Sequence, residues 1–342
     1  MSQDTANSQM ASLFRVFSLS VVALGLIFVF NNFLNFWWGW PGLPDFFAHL
    51  GLFDLETLRK PLDGNALTLG WIQLFLYTAP VIGLVAFVFK TPFRSLHADS
   101  EVLSAMAAYI VRAAFWAVLI VGLVDVFISF LRVEGFLSGI VGKQLADDLG
   151  RPSFRGIYVH YPIMAACFVI AWFSRSLGFT WLALLIVVAE IQIVIARFVF
   201  SYEQAFMADL VRFWYGALFL FASPYTLIHE GHVRVDILYA GFSERGKAWT
   251  NSIGSALLGM PLCWIVLTRG MWGKSSVINS PLISFEVTQA GYGLYVKYLL
   301  AGFLLVFAIS MLIQFMSYFL SSVAVLLRER GHHPDTTEHA NV

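Results

Sequence analysis

Long apolar runs separated by short polar stretches set the pattern of this chain. Runs near 12–34, 68–90, 104–131, 156–175, 179–201, 206–227, 251–269 and 294–326 carry few charges. Most reach the roughly 20 residues that a helix needs to cross a bilayer. They predict about eight spanning helices, the last long enough to tilt or to emerge from the membrane. Between them, residues 136–149 place Leu137, Val141, Leu145 and Leu149 four apart, with Lys143, Asp147 and Asp148 elsewhere on the turn. That spacing predicts a helix lying on the membrane surface. Residues 37–67 open on Trp37, Trp38 and Trp40, aromatic side chains suited to the headgroup zone. The expected fold class is therefore all-α: a polytopic helical membrane protein with short amphipathic surface helices.

Composition supports this reading. The chain has 342 residues, of which 59% are hydrophobic and 12% charged, and its mean hydropathy is +0.75. A soluble domain of this size could not hide so much apolar surface. Lysine and arginine balance aspartate and glutamate at 21 each, so no basic face suggests a nucleic acid partner. Cys167 and Cys263 fall inside apolar runs and read as small hydrophobes rather than a disulfide or a metal site. Residues 1–11 are polar and lack the basic start of a signal peptide, so the first apolar run is expected to stay as a helix. Residues 327–342 read as a polar, disordered tail. An even helix count puts both termini on one side. The basic stretch around Arg234 and the Arg328/Arg330 end favour the cytoplasm. Lys143, Arg151 and Arg155 would then face outward, so the positive-inside rule gives only weak support.

Catalytic signatures do not emerge. His229, Glu230 and His232 stand in a polar stretch, but the histidines are three apart rather than the four of the zinc-protease helix. No phosphate-binding glycine loop with Lys-Ser/Thr and no Gly-x-Ser-x-Gly turn occurs. No enzyme activity, cofactor or metal is expected. Charges within the apolar runs carry more information: Asp125, Glu190 and, near one end, Arg112. A charge deep in a bilayer costs a few kcal/mol, so each should find a partner. One reading is a proton or ion relay; the other is an interhelical ion pair that fixes packing. For Glu190 the candidate partners are Arg197 on its own helix and Arg112 on another. Trp116, Asp125 and Arg132 repeat the spacing of Trp181, Glu190 and Arg197, a faint internal echo. Pro80, Pro162 and Pro261 do not recur as paired breaks in two halves, so the runs read as packing elements.

The most specific stretch runs from Tyr225 to Trp249, a polar island between two apolar runs. Gly231 frees the chain to turn at the membrane exit. Asp236 suits the positive end of a following helix, whose apolar stripe would be Val235, Leu238, Tyr239 and Phe242, flanked by Arg234, Arg245 and Lys247. The core Gly231-His232-Val233-Arg234-Val235-Asp236 resembles the signature loop of the small, Q-type (DctQ-like) membrane subunit of TRAP transporters, the tripartite ATP-independent periplasmic carriers of bacteria. Three other features are similar to that family: a first helix ending at Arg197 with Phe198-Val199-Phe200, an acidic residue early in the second helix at Asp209, and the segment Glu286 to Lys297 before the fourth. Family members often carry a Trp-Glu-Glu-like run where this chain has Phe206-Met207-Ala208-Asp209.

The resemblance implies a division into a membrane extension over 1–178, a four-helix Q-type domain over 179–326 and the tail over 327–342. It implies a multi-pass protein of the bacterial inner membrane and three partners: a large permease subunit that moves solute and sodium, a periplasmic solute-binding protein, and membrane lipid. It implies a scaffold role for an importer of organic acids, with the 231–236 loop holding the headgroup boundary. The four extra helices are too few to be the large subunit. Two other readings stay open: an independent ion-coupled carrier using Asp125 and Glu190, and a membrane enzyme or assembly factor using His229 and His232.

Overall fold

The structure, a computed structural model, describes residues 2–56, 58, 60–174, 179–228, 239–287 and 293–329. Among these residues there is no strand. The helices are α1 (Ser2–Trp37), α2 (Leu43–His49), α3 (Gly64–Lys90), α4 (Leu96–Val133), α5 (Leu137–Val141), α6 (Lys143–Leu149), α7 (Pro152–Arg155), α8 (Tyr161–Phe173), α9 (Phe179–Val199), α10 (Ala205–Ile228), α11 (Glu244–Gly254), α12 (Met260–Met271), α13 (Asn279–Ser284) and α14 (Lys297–Leu326). Eight rods within them are long and apolar enough to span a membrane, matching the eight runs of the sequence. The chain is an all-α, multi-pass membrane protein.

The boundaries moved where polar residues extend a rod. The seventh span begins at Glu244 rather than near 251 because the Ser243 hydroxyl caps the Gly246 N–H at 3.2 Å. α4 begins at Leu96, where the Glu329 carboxylate accepts the Leu96 N–H at 2.9 and 3.1 Å. The surface helix expected over 136–149 is broken into α5 and α6 at Gly142, whose φ of 82° lies in the left-handed region. The break turns Leu137 and Leu149 inward onto Leu131, while Leu145 stays exposed. Tyr239 and Phe242 lie in turns, and the rest of the stripe expected before them lies outside the described residues.

Two rods contain a π turn, at Gly156–His160 between α7 and α8 and at Ser255–Gly259 between α11 and α12. Each is followed two residues later by a proline, Pro162 and Pro261. A proline ring collides with the carbonyl four residues earlier, and widening that turn relieves the clash. Each π turn also ends or begins on a glycine that admits an aromatic ring. A Cβ on Gly259 would lie 2.6 Å from Phe315, and one on Gly156 would collide with Phe285. Gly156→Leu is therefore expected to destabilise the fold by about 1–3 kcal/mol. Thermal unfolding in detergent, followed by tryptophan fluorescence, checks it.

Packing divides the described residues into two compact units. The first comprises those within 1–105, 233–262 and 312–342. Its α1 and α3 are joined by polar side chains: Gln73 Nε2 donates to Asn31 and Asn35 Oδ1, each at 2.6 Å, and Gln73 Oε1 accepts the Gly42 N–H at 3.0 Å. In hydrocarbon such bonds replace water that is not there. Arg15 on α1 is fully buried; its Nε donates to Asp99 at 2.6 Å and its Nη1 to the Thr91 carbonyl at 2.7 Å.

The second unit comprises the described residues within 106–232 and 263–311. Its core gathers α4, α9, α10 and the start of α14 around Phe213, Trp214, Phe221 and Phe303. Trp214 lies against Gly122, where a Cβ would stand 2.5 Å from its Nε1, and that Nε1 donates to the Val118 carbonyl at 3.3 Å.

Candidate functional site

The second unit buries a charge network around Asp125, near the end of α4 that is capped by α5 and α6. Asp125, Arg155 and His160 are all fully buried. Arg155 Nη1 donates to Asp125 Oδ1 at 2.8 Å and reaches Ser129 Oγ at 3.2 Å. Arg155 Nε donates to the Leu149 carbonyl at 3.0 Å. His160 Nε2 stands 3.1 Å from the same Oδ1, and its Nδ1 stands 2.9 Å from the Tyr298 hydroxyl. The neutral tautomer protonated at Nε2 satisfies both contacts, donating to Asp125 and accepting from Tyr298. Asp125 Oδ2 accepts the Tyr295 N–H at 2.8 Å.

The π turn makes this convergence possible. Residues five apart on an α-helix point roughly 140° apart. The π turn closes i→i+5 hydrogen bonds, here from the Tyr161 N–H to the Gly156 carbonyl, and brings residues five apart toward one face. Arg155 and His160 can then both reach Asp125. Tyr295 closes the network from the other side. The Arg155 guanidinium lies 4.1 Å from its ring centroid. Its hydroxyl accepts from Arg132 and donates to the Gly150 carbonyl at 3.0 Å.

Asp125 thus has a partner, as its position in an apolar run required, and both its oxygens are occupied. A buried carboxylate held by an arginine, a histidine and a backbone N–H is a compensated ion pair. It ties α4, the α7–α8 rod and the entry to α14 together. One donor is left over: Arg155 Nη2 is buried without a protein partner among the described residues.

The other charges singled out in the sequence are not gathered here. Glu190 and Arg197 are exposed on α9, and neither has a hydrogen-bond or ion-pair partner among the described residues. Arg112 is half-buried on α4, its Nε without an acceptor among the described residues. The structure thus pairs Glu190 with neither Arg197 nor Arg112. Asp209, on the first turns of α10, accepts the Leu294 N–H at 3.1 Å and lies 3.6 Å from Arg212. Nearby, Lys297 at the start of α14 pairs with Glu286 at 2.6 Å. Gly231, His232, Val233, Arg234, Val235 and Asp236 lie outside the described residues, as do His229 and Glu230. Cys167 and Cys263 are buried and free.

Sequence reasoning missed Arg155 and His160. Arg155 read as a boundary charge facing out, and His160 drew no notice. The available signal was an Arg and a His five apart around Gly156, upstream of Pro162, in an otherwise apolar run.

Fold and network together define a multi-pass helical membrane protein whose buried charges are compensated internally. Residues 183–324 match the family model for the DctQ component of tripartite ATP-independent periplasmic transporters. This region is therefore similar to the small permease component of a TRAP transporter, and a longer N-terminal half precedes it. No curated protein matches the chain, and no solved structure matches it.

Proposed function

We propose that this chain is the small permease subunit of a sodium-coupled, binding-protein-dependent importer of organic acids in the bacterial inner membrane. It scaffolds the large transport subunit and helps to dock the periplasmic binding protein, and it performs no catalysis. The observation that carries this reading is the match of residues 183–324 to the DctQ component. The division into an extension over 1–178, a Q-type domain over 179–326 and a tail over 327–342 follows from the same reading. So does a headgroup role for Arg234 and its neighbours.

The closed bonding of Asp125 favours a scaffold over a carrier. Its lone pairs serve Arg155, His160 and the Tyr295 backbone, and it makes no contact with Glu190, the other acid a relay would use. Deleting the gene is expected to abolish uptake of the solute captured by the co-encoded binding protein, and a plasmid copy to restore it. Undiminished uptake in the deletion strain would overturn the reading. Arg234→Ala is expected to lower complex recovery or uptake several-fold with solute preference unchanged. Competition assays with related solutes check this, and wild-type yield together with wild-type uptake would contradict it.

A further inference from the structure

We propose that the outward face of α9 around Glu190 is the seam on which the large transport subunit docks, through a membrane helix that carries a basic side chain at the depth of Glu190. This rests on the small-subunit reading above and goes beyond it by naming the surface and the chemistry of the partner.

The span containing Glu190 runs from Thr180 to Val199, so Glu190 sits next to its middle. Helical spacing aligns it with Ala183, Val187, Val194 and Arg197 on one stripe. Val187 and Val194 are more than half exposed. The core-facing side lies about a quarter-turn round the helix, through Leu182 and Ala189. Glu190 is exposed beside that side, at mid-membrane, with no hydrogen-bond or ion-pair partner among the described residues. Arg197 shares the stripe but lies seven residues on, roughly 10 Å along the axis, and can reach the headgroups instead. Mid-bilayer hydrocarbon offers a carboxylate neither charge nor hydrogen bond.

The choice of occupant follows from charge. Lipid tails cannot satisfy Glu190. A second copy meeting this face across a two-fold axis would set Glu190 against Glu190, like charge against like. A helix of a different subunit bearing lysine or arginine at that depth removes the penalty and covers Val187 and Val194 in the same contact.

The test uses the full chain, co-expressed in native membranes with its co-encoded large permease subunit. A photo-crosslinking residue is placed at Val187 or Val194, Glu190 being left intact. The expected product is an adduct with the mass of both subunits, absent when the probe is placed at exposed Ile82 of α3. Glu190→Lys is expected to cut the large subunit recovered by about tenfold or more, and Glu190→Asp to retain most of it. Adducts with lipid alone or with a second copy, or full recovery with Glu190→Lys, would overturn the proposal. If the wild-type chain holds the large subunit but α9 gives no adduct, the seam is wrong and the subunit role stands. If the wild-type chain holds no large subunit, the subunit role itself fails.

Discussion

Asp125→Ala is expected to destabilise the second unit by about 3–5 kcal/mol, because it leaves the Arg155 guanidinium buried without its counter-charge. His160 would lose the acceptor for Nε2, and the Tyr295 N–H would lose its own. A folded fraction that survives extraction should unfold roughly 5–10 °C lower in detergent. The comparison that isolates the cause is the double variant Asp125→Leu with Arg155→Met. Removing both charges leaves no uncompensated ion in the core, and apolar replacement of a buried pair is often neutral or stabilising. The double variant should therefore be more stable than Asp125→Ala alone. A double variant as unstable as the single would mean that volume or the π turn, not the uncompensated charge, sets the penalty.

Arg15→Met is the second expected loss, about 3 kcal/mol, and it falls in the first unit. Arg15 and Asp99 are almost wholly shielded from solvent, and Arg15 also holds the Thr91 carbonyl and hydroxyl. Asp99 keeps a second arginine, Arg94, at 2.5 Å, but that side chain is 36% exposed. Screening by solvent limits Arg94→Met to about 1 kcal/mol. The two variants, measured side by side by thermal unfolding, should rank in that order. Equal losses would mean that the two arginines share Asp99 evenly.

The fold was legible in the sequence because spanning helices are written in length and apolarity alone. All eight runs became rods, and the chief errors were at polar ends such as Glu244, where hydropathy does not register a serine cap. The break at Gly142 was also unread, because a four-residue repeat looks the same whether or not one glycine has positive φ. The network was half legible. Asp125 announced itself as a charge in an apolar run that needed a partner. Its partners did not, since Arg155 and His160 share a face only through the π turn, and helical spacing of 3.6 separates them. Tyr295 contributes a backbone N–H, which no side-chain pattern can announce. Glu190 was legible as an intramembrane charge. Its exposure on α9 was not, because the sequence shows which residues are apolar and not which face the fold leaves uncovered.

On the small-subunit reading the chain is one part of a transporter rather than a carrier in its own right. The most direct measurement is solute uptake into liposomes containing the chain alone, and the chain with the large permease subunit that the small-subunit reading calls for, each supplied with the loaded binding protein. Uptake only with both membrane subunits present is the predicted result. Uptake by the chain alone, lost on mutation of Asp125 or Glu190, would contradict it.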